Sequence, residues 1–322
     1  MKSRTDRNSV VEQRRPFRYR AFMNMTMPPG RGTAEMEMSR AFDAAERSVS
    51  IVAVHDWSGR FAMALLDLRQ TMQLWRLVWT LSLLDIRLRY RGSILGPFWL
   101  TLSTAVMIAA LGFLYSRLFH TDIKTYLPFL SLSLVLWTFL QTLTGDGCTC
   151  FTSSEAMIRA ARMPLSLHAA RVVVRNILVL SHNVVVIVAV FLIMGTVPGP
   201  YSFTIVPAFA LWVVDAMAIS LMLGVLCARF RDIPPIVASI MQIAFFVSPV
   251  IWSPTILAHR GIGIVLVKWN PFYALLEIMR GPLLGTKLEL GNWAIALGYS
   301  AILVVLAAVS FARARSRIAY WV

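Results

Sequence analysis

The residues that could do chemistry are few and far apart. Asp215, His182 and Arg175 are ionisable side chains inside long apolar stretches. An ionisable group at membrane depth faces a protein interior, a water-filled cavity or a partner, and it commonly marks a proton or ion path. A lone Asp215 is better explained as a packing polar group satisfied by Asn183, His182 or Gln242. The other acids, including Asp122, Asp146, Glu155, Asp232, Glu277 and Glu289, fall about one to a loop. They form no recognisable pair for general acid–base work. The five histidines have no metal-ligand spacing, and Cys148, Cys150 and Cys227 are too few and too odd in number for a disulfide framework. Residues 281–287 read GPLLGTK, which echoes a phosphate loop but lacks its spacing and its Gly-Lys-Ser/Thr ending. These absences argue against an enzyme and leave the chain without a motor, a cofactor or a metal of its own.

The segments that carry these residues are more informative than the residues themselves. The 322-residue chain is 57% hydrophobic and 15% charged, with a mean hydropathy of +0.66. Soluble domains are about 45–50% apolar and about 25% charged. Apolar runs of about 20 residues, the length that crosses a bilayer core, fall near 97–117, 126–144, 171–195, 203–227, 234–252 and 292–312. Six crossings put both ends of the chain on one side. Twenty-five of the 31 Lys and Arg then share that side, which the positive-inside rule makes cytoplasmic. The same rule accounts for the net charge of +15 without nucleic acid.

Three shorter segments frame the spans. Residues 1–60 are basic and aperiodic and read as a disordered cytoplasmic tail, which leaves 61–322 as the folded domain. Residues 60–95 carry Leu74, Leu77, Val78, Leu81, Leu84 and Leu88 at helical spacing. Arg76, Arg87 and Arg91 lie on another side, with Trp75 and Trp79 a turn apart. This pattern predicts an amphipathic helix lying in the membrane interface. Residues 152–155 (TSSE) fit a capping box opening a cytoplasmic helix over roughly 153–163, which would expose Arg159 and Arg162 before Pro164 ends it.

The stretch RFRDIPP at 229–235 sits between the fourth and fifth spans. Arg229 and Arg231 hold that turn inside, Asp232 is placed to cap the next helix, and a proline in its first turn lacks an N–H that would be orphaned anyway. Residues 253–290 are too long for a hairpin loop and too apolar for a solvated one. Asn270-Pro271 is a helix start, so 253–280 read as short helices dipping back into the membrane. Trp137 and Phe245-Phe246 lie inside their spans, where an interfacial aromatic belt does not explain them. Flat aromatic faces suit the C–H faces of sugars.

Several stretches together carry a resemblance: DIRLRYRGSILGPFW at 85–99, RFRDIPP at 229–235, FFVSPVIW at 245–252, NPFY at 270–273, RGPLLG at 280–285 and RIAYW at 317–321. In this order and spacing, over roughly 70–322, the chain resembles the permease subunits of type-2 ABC exporters for polysaccharides, the O-antigen, capsule and teichoic-acid export family. The resemblance implies an all-α integral membrane protein of the bacterial inner membrane. It would have six spans, cytoplasmic termini, an interface helix and re-entrant helices before the last span. It further implies a homodimer that works with two copies of a separate ABC ATPase, which binds the ATP and Mg, and moves a lipid-linked polysaccharide among membrane lipids.

Site residues follow from the same resemblance. The ATPase would dock on the 70–93 helix and on Glu155, Ile158, Arg159 and Arg162. Arg87, Arg89 and Arg91 would meet a pyrophosphate-linked headgroup or serve as interfacial anchors. Trp137, Phe245, Phe246, Trp252 and Tyr273 would line the polymer channel in part. The alternative reading is an ion-coupled secondary transporter that uses Asp215.

Overall fold

The computed structural model describes residues 56–92, 98–161, 163–254, 267, 269–286 and 289–322. Residues 1–55 of the predicted tail at 1–60, the stretch 255–266 and Arg162 lie outside the described residues, while Trp57–Arg60 of that tail already belong to the first helix. Among the described residues the chain is helical and holds no strand. The helices are α1 (Trp57–Gln73), α2 (Trp75–Arg89), α3 (Phe98–Leu118), α4 (Ile123–Cys148), α5 (Glu155–Ala160) and α6 (Ser166–Met194). They continue with α7 (Ile205–Arg229), α8 (Ile233–Val247), α9 (Pro271–Leu283) and α10 (Leu290–Trp321).

Among the described residues five helices are long and apolar enough to cross a membrane: α3, α4, α6, α7 with the 3₁₀ turn before it, and α10. They match five of the six predicted runs. The sixth run, 234–252, forms a helix of only 15 residues, α8. At 1.5 Å per residue it is about 22 Å long, short of a hydrocarbon core of about 30 Å. It stops at Val247 because the chain turns through Ser248 and Pro249, and Pro249 cannot supply the N–H that would continue the ladder.

The bundle is built around α4. Of its most apolar 18-residue stretch 72% is buried, against 22% for both α3 and α10. Its buried side chains point in all directions, from Leu130 through Trp137 to Leu143, so neighbours surround it. Trp212 of α7 stacks on Phe139 at 5.7 Å between ring centroids and donates its indole N–H to the carbonyl of Leu275 on α9 at 3.2 Å. Between α6 and α7 the chain reverses through Gly195, whose φ of +68° is the left-handed helix stop that glycine favours. Beyond it Gly199 lies against Gly285, so closely that a Cβ on Gly199 would sit 2.5 Å from the Cα of Gly285.

Three local expectations are corrected. The single amphipathic helix is two helices separated at Leu74 (φ −92°, ψ 22°). Their buried stripe is Ala64, Asp67 and Thr71, then Val78, Ser82 and Ile86, while Leu74, Leu84 and Leu88 stay exposed with Trp75 and Trp79. The half-polar stripe wins the packed face because its polar groups have partners on α6. The 152–155 capping box does not form. Thr152–Ser154 is a 3₁₀ turn, the Thr152 hydroxyl donates to the Thr149 carbonyl at 3.2 Å, and α5 is shorter than predicted because Ala161 is already extended. Asp232 starts α8 in a helical conformation and makes no capping bond with its side chain.

Candidate functional site

The end of the bundle that carries α1 and α2 is held by carboxylates of those two helices. Asp85 of α2 accepts from Arg171 Nε of α6 at 2.6 Å and from a second Arg171 nitrogen, a bidentate grip. Arg175, one turn along α6, reaches the same carboxylate at 3.2 Å and Asp146 of α4 at 2.8 Å. Asn176 donates to Asp146 at 2.9 Å, and Arg89 of α2 closes the ring 3.7 Å from it. Ser82 donates to the Arg171 carbonyl at 3.0 Å. The i, i+4 spacing of Arg171 and Arg175 stacks two guanidinium groups on one helix face, and two acids from different helices keep them together. Lower on the same seam, Asp67 of α1 meets the start of α6 and Arg315 of α10.

Around this seam lie the predicted contact residues. Glu155 and Arg159 pair along α5 at 2.8 Å, and Arg159 also donates to the carbonyl of Val322 at 2.7 Å. Ile158 is half-buried against the core. Arg229 lies 5.4 Å from the ring centre of Phe230 and 5.2 Å from that of Trp321, so the turn between α7 and α8 is tied to the end of α10. Arg231 and Asp232 are exposed. Arg231, Glu155, Cys148, Cys227 and Trp321 help line a cavity of about 300 Å³ there. Arg87, Arg89 and Arg91 are exposed, and among the described residues Arg89 leans on an acid, Asp146. All three cysteines are free thiols and buried. Burial raises the pKa of Cys150, whose sulfur sits against Gly224.

The other end of the bundle is organised by Arg280 of α9, 1% exposed. It pairs with Glu277 at 2.8 Å and donates to the Pro249 carbonyl at 2.6 Å and the Ser133 hydroxyl at 2.9 Å. Phe129 and Tyr273 lie under its guanidinium at 4.7 and 5.8 Å. Burial, with the Glu277 charge beside it, pushes the Tyr273 phenol up to about 12, so it stays neutral. Asn270 caps α9 by accepting from the Phe272 N–H at 2.9 Å, as its sequence signals, and its amide donates to Ser248 at 2.9 Å. The aromatic residues form a chain of contacts: Phe272 to Trp137 at 5.4 Å, Trp137 to Phe245 at 5.7 Å, and Phe245 to Phe246 at 5.2 Å. Phe246 is 64% exposed, Trp137 is buried, Trp252 is half-buried with its N–H on the Phe246 carbonyl, and Tyr273 turns to Arg280.

Asp215 is buried between α7 and α10 and accepts from the Ser300 hydroxyl at 2.7 Å. None of the neighbours expected from sequence is its hydrogen-bond partner; His182 is exposed and bonded to the Leu178 carbonyl. Among the described residues no cluster of three or more His, Cys, Asp or Glu could hold a metal ion. Sequence reasoning passed over Asp67 and the anchoring role of Arg280. The one available signal for the seam was the Arg171–Arg175 spacing.

This arrangement binds helices to one another. Residues 76–284 match the family described as ABC-2 type transporter. The O-antigen export system permease protein RfbA of Myxococcus xanthus is 22% identical over 235 residues, covering 72% of this chain and 89% of the relative. The protein of that name from Klebsiella pneumoniae is 20% identical over 193 residues, 60% of this chain and 74% of the relative. With a helical membrane bundle and a match over most of its length, the chain belongs to the ABC-2 type transporter family.

Proposed function

We propose that the chain is the membrane-spanning subunit of an ATP-driven exporter that carries a lipid-linked polysaccharide across the bacterial inner membrane. The observation that carries this reading is the family match over 76–284, together with relatives that are themselves named O-antigen export permeases. Two copies of the chain form the conduit, and two copies of a separate ATPase bind the ATP and Mg. In this reading α8 and the non-helical stretch after it make a sixth crossing, both termini are cytoplasmic, and α9 belongs to a re-entrant element at the outer end.

The ATPase meets α1, α2 and the short helix bearing Glu155, Ile158 and Arg159, with Arg162 two residues beyond it in sequence. Closure of the ATPase on ATP displaces α5, and the subunit interface opens for the polymer. Phe246, the exposed member of the aromatic chain, offers a face to sugar rings, backed by Phe245 and Trp137. The exposed Arg87 and Arg91 supply the charge for a diphosphate headgroup. The bond from Asp215 to Ser300 within the chain favours a packing role for that acid over ion coupling.

Gene deletion tests the proposal. Surface polysaccharide should disappear while its lipid-linked precursor accumulates in the inner membrane. Unchanged surface polymer in the deletion strain would reject an export role.

A further inference from the structure

Asp67 is a carboxylate that the functional reading does not use. It is 1% exposed, and three elements converge on it. One carboxylate oxygen accepts from the Ser166 N–H at 2.8 Å and the Ser166 hydroxyl at 2.6 Å. The other accepts from the Leu165 N–H at 3.2 Å and Arg315 Nε at 2.8 Å. Thr71, one turn further along α1, shares a hydroxyl contact of 2.7 Å with Ser166. Four donors occupy the four sites that an ionised carboxylate offers. The first N–H groups of a helix have no partner inside it. Leu165 precedes α6 and makes no side-chain cap of its own. Asp67 therefore caps α6 from a residue 99 positions away in sequence.

The place of this cap matters. Residues 161–165 join α5 to α6, and Leu165 and Ser166 are where that link becomes helix. No residue of α5 is fully buried, although Ile158 is half-buried against the core and Met157 lies 4.0 Å from an Arg171 nitrogen. Besides these side-chain contacts, α5 is tied to the bundle by the Arg159 bond to Val322, just past the end of α10, and by the link to α6. At the end of that link Asp67 grips the first two N–H groups, and through Arg315 it grips α10 as well. We infer that Asp67 is a positioning residue that transmits the displacement of α5 to α1 and α10. The inference rests on the reading that α5 docks on the ATPase.

The test uses the full complex of permease and ATPase in nanodiscs and proteoliposomes, with Asp67→Asn and Arg315→Gln. Asparagine keeps the size and one acceptor oxygen but turns an N–H₂ toward Arg315. Arg315→Gln spares the α6 cap and cuts only the link to α10. Polymer exported per ATP hydrolysed should fall by about tenfold in each, while ATP hydrolysis stays near wild type. Asp67→Asn, at a buried ion pair, should also lose some thermal stability, and Arg315→Gln, at a partly exposed guanidinium, less. Spin labels at Gln70 and Ala160, both exposed, should show a single narrow distance in the parent and a broadened one in Asp67→Asn. A parallel fall of stability, hydrolysis and export would make Asp67 merely structural and overturn the inference, as would an unchanged export ratio in Arg315→Gln. Arg159→Glu separates the two levels. If it too leaves the ratio unchanged, the docking of α5 has failed. If it lowers the ratio and the junction variants do not, Asp67 alone has failed.

Discussion

The guanidinium of Arg280 lies 4.7 Å from the ring centre of Phe129, on a different helix and 151 residues away in sequence. With the Glu277 ion pair and bonds to Pro249 and Ser133, this fixes α9 against α4 and against the chain leaving α8. A buried ion pair is weak evidence of net stabilisation, but removing one partner strands the other. Arg280→Met should therefore cost about 3–5 kcal/mol. Arg280→Lys keeps the charge and loses the fork, and should fall between. Thermal unfolding in detergent measures both, and a fully stable Arg280→Met would show that the anchor is dispensable.

Gly199 and Gly285 touch backbone to backbone. A methyl group on Gly199 would meet the Gly285 Cα at 2.5 Å and the Pro282 carbonyl at 3.1 Å, neither of which is a side chain that can swing away. Gly199→Ala should destabilise by about 1–3 kcal/mol, the range for overpacking. Gly145, with open space around it, is the control. A similar loss from both substitutions would mean the close approach is unimportant.

Asp215→Asn separates the two transport classes. The amide oxygen can still accept from Ser300, so folding should be preserved within about 1 kcal/mol. Export should continue with unchanged dependence on pH. Loss of transport in a well-folded Asp215→Asn would revive the ion-coupled alternative.

Thiol labelling tests the seam below α5. The thiolate is the reactive form, and burial raises the Cys150 pKa, so at any given pH Cys150 holds less thiolate than an exposed cysteine. A membrane-permeant maleimide should leave Cys150 unmodified in the native protein from neutral pH to about 9, where a free thiol at its ordinary pKa of about 8.5 is mostly ionised. Denaturation should expose all three cysteines. Rapid native labelling of Cys150 would contradict its packing against Gly224.

Arg159→Glu places like charges one turn apart on α5 and removes the bond to Val322. Because the pair is exposed, the stability change should stay within about 1 kcal/mol. Export should nevertheless fall relative to ATP hydrolysis. Wild-type coupling in this variant would take α5 out of the mechanism.

The amino-acid sequence by itself determined the helical membrane class, the run lengths that became α3, α4, α6, α7 and α10, and the Asn270 cap. These features are local: hydropathy over a bilayer's thickness, side chains repeating every 3.6 residues, and cap and proline chemistry act within a turn or two. Only the tertiary structure decided which polar residues became partners. Asp67 finds Arg315 at a separation of 248 residues, Asp85 finds Arg171 at 86, and Arg280 finds Ser133 at 147. The leucine periodicity likewise did not reveal that α2 packs through Val78, Ser82 and Ile86, or that α1 buries Asp67 and Thr71. A buried polar group goes where its hydrogen bonds can be met, and that depends on what another helix presents. The membrane removes the usual contrast as well, because an apolar side chain in this chain is equally at home facing lipid or facing protein.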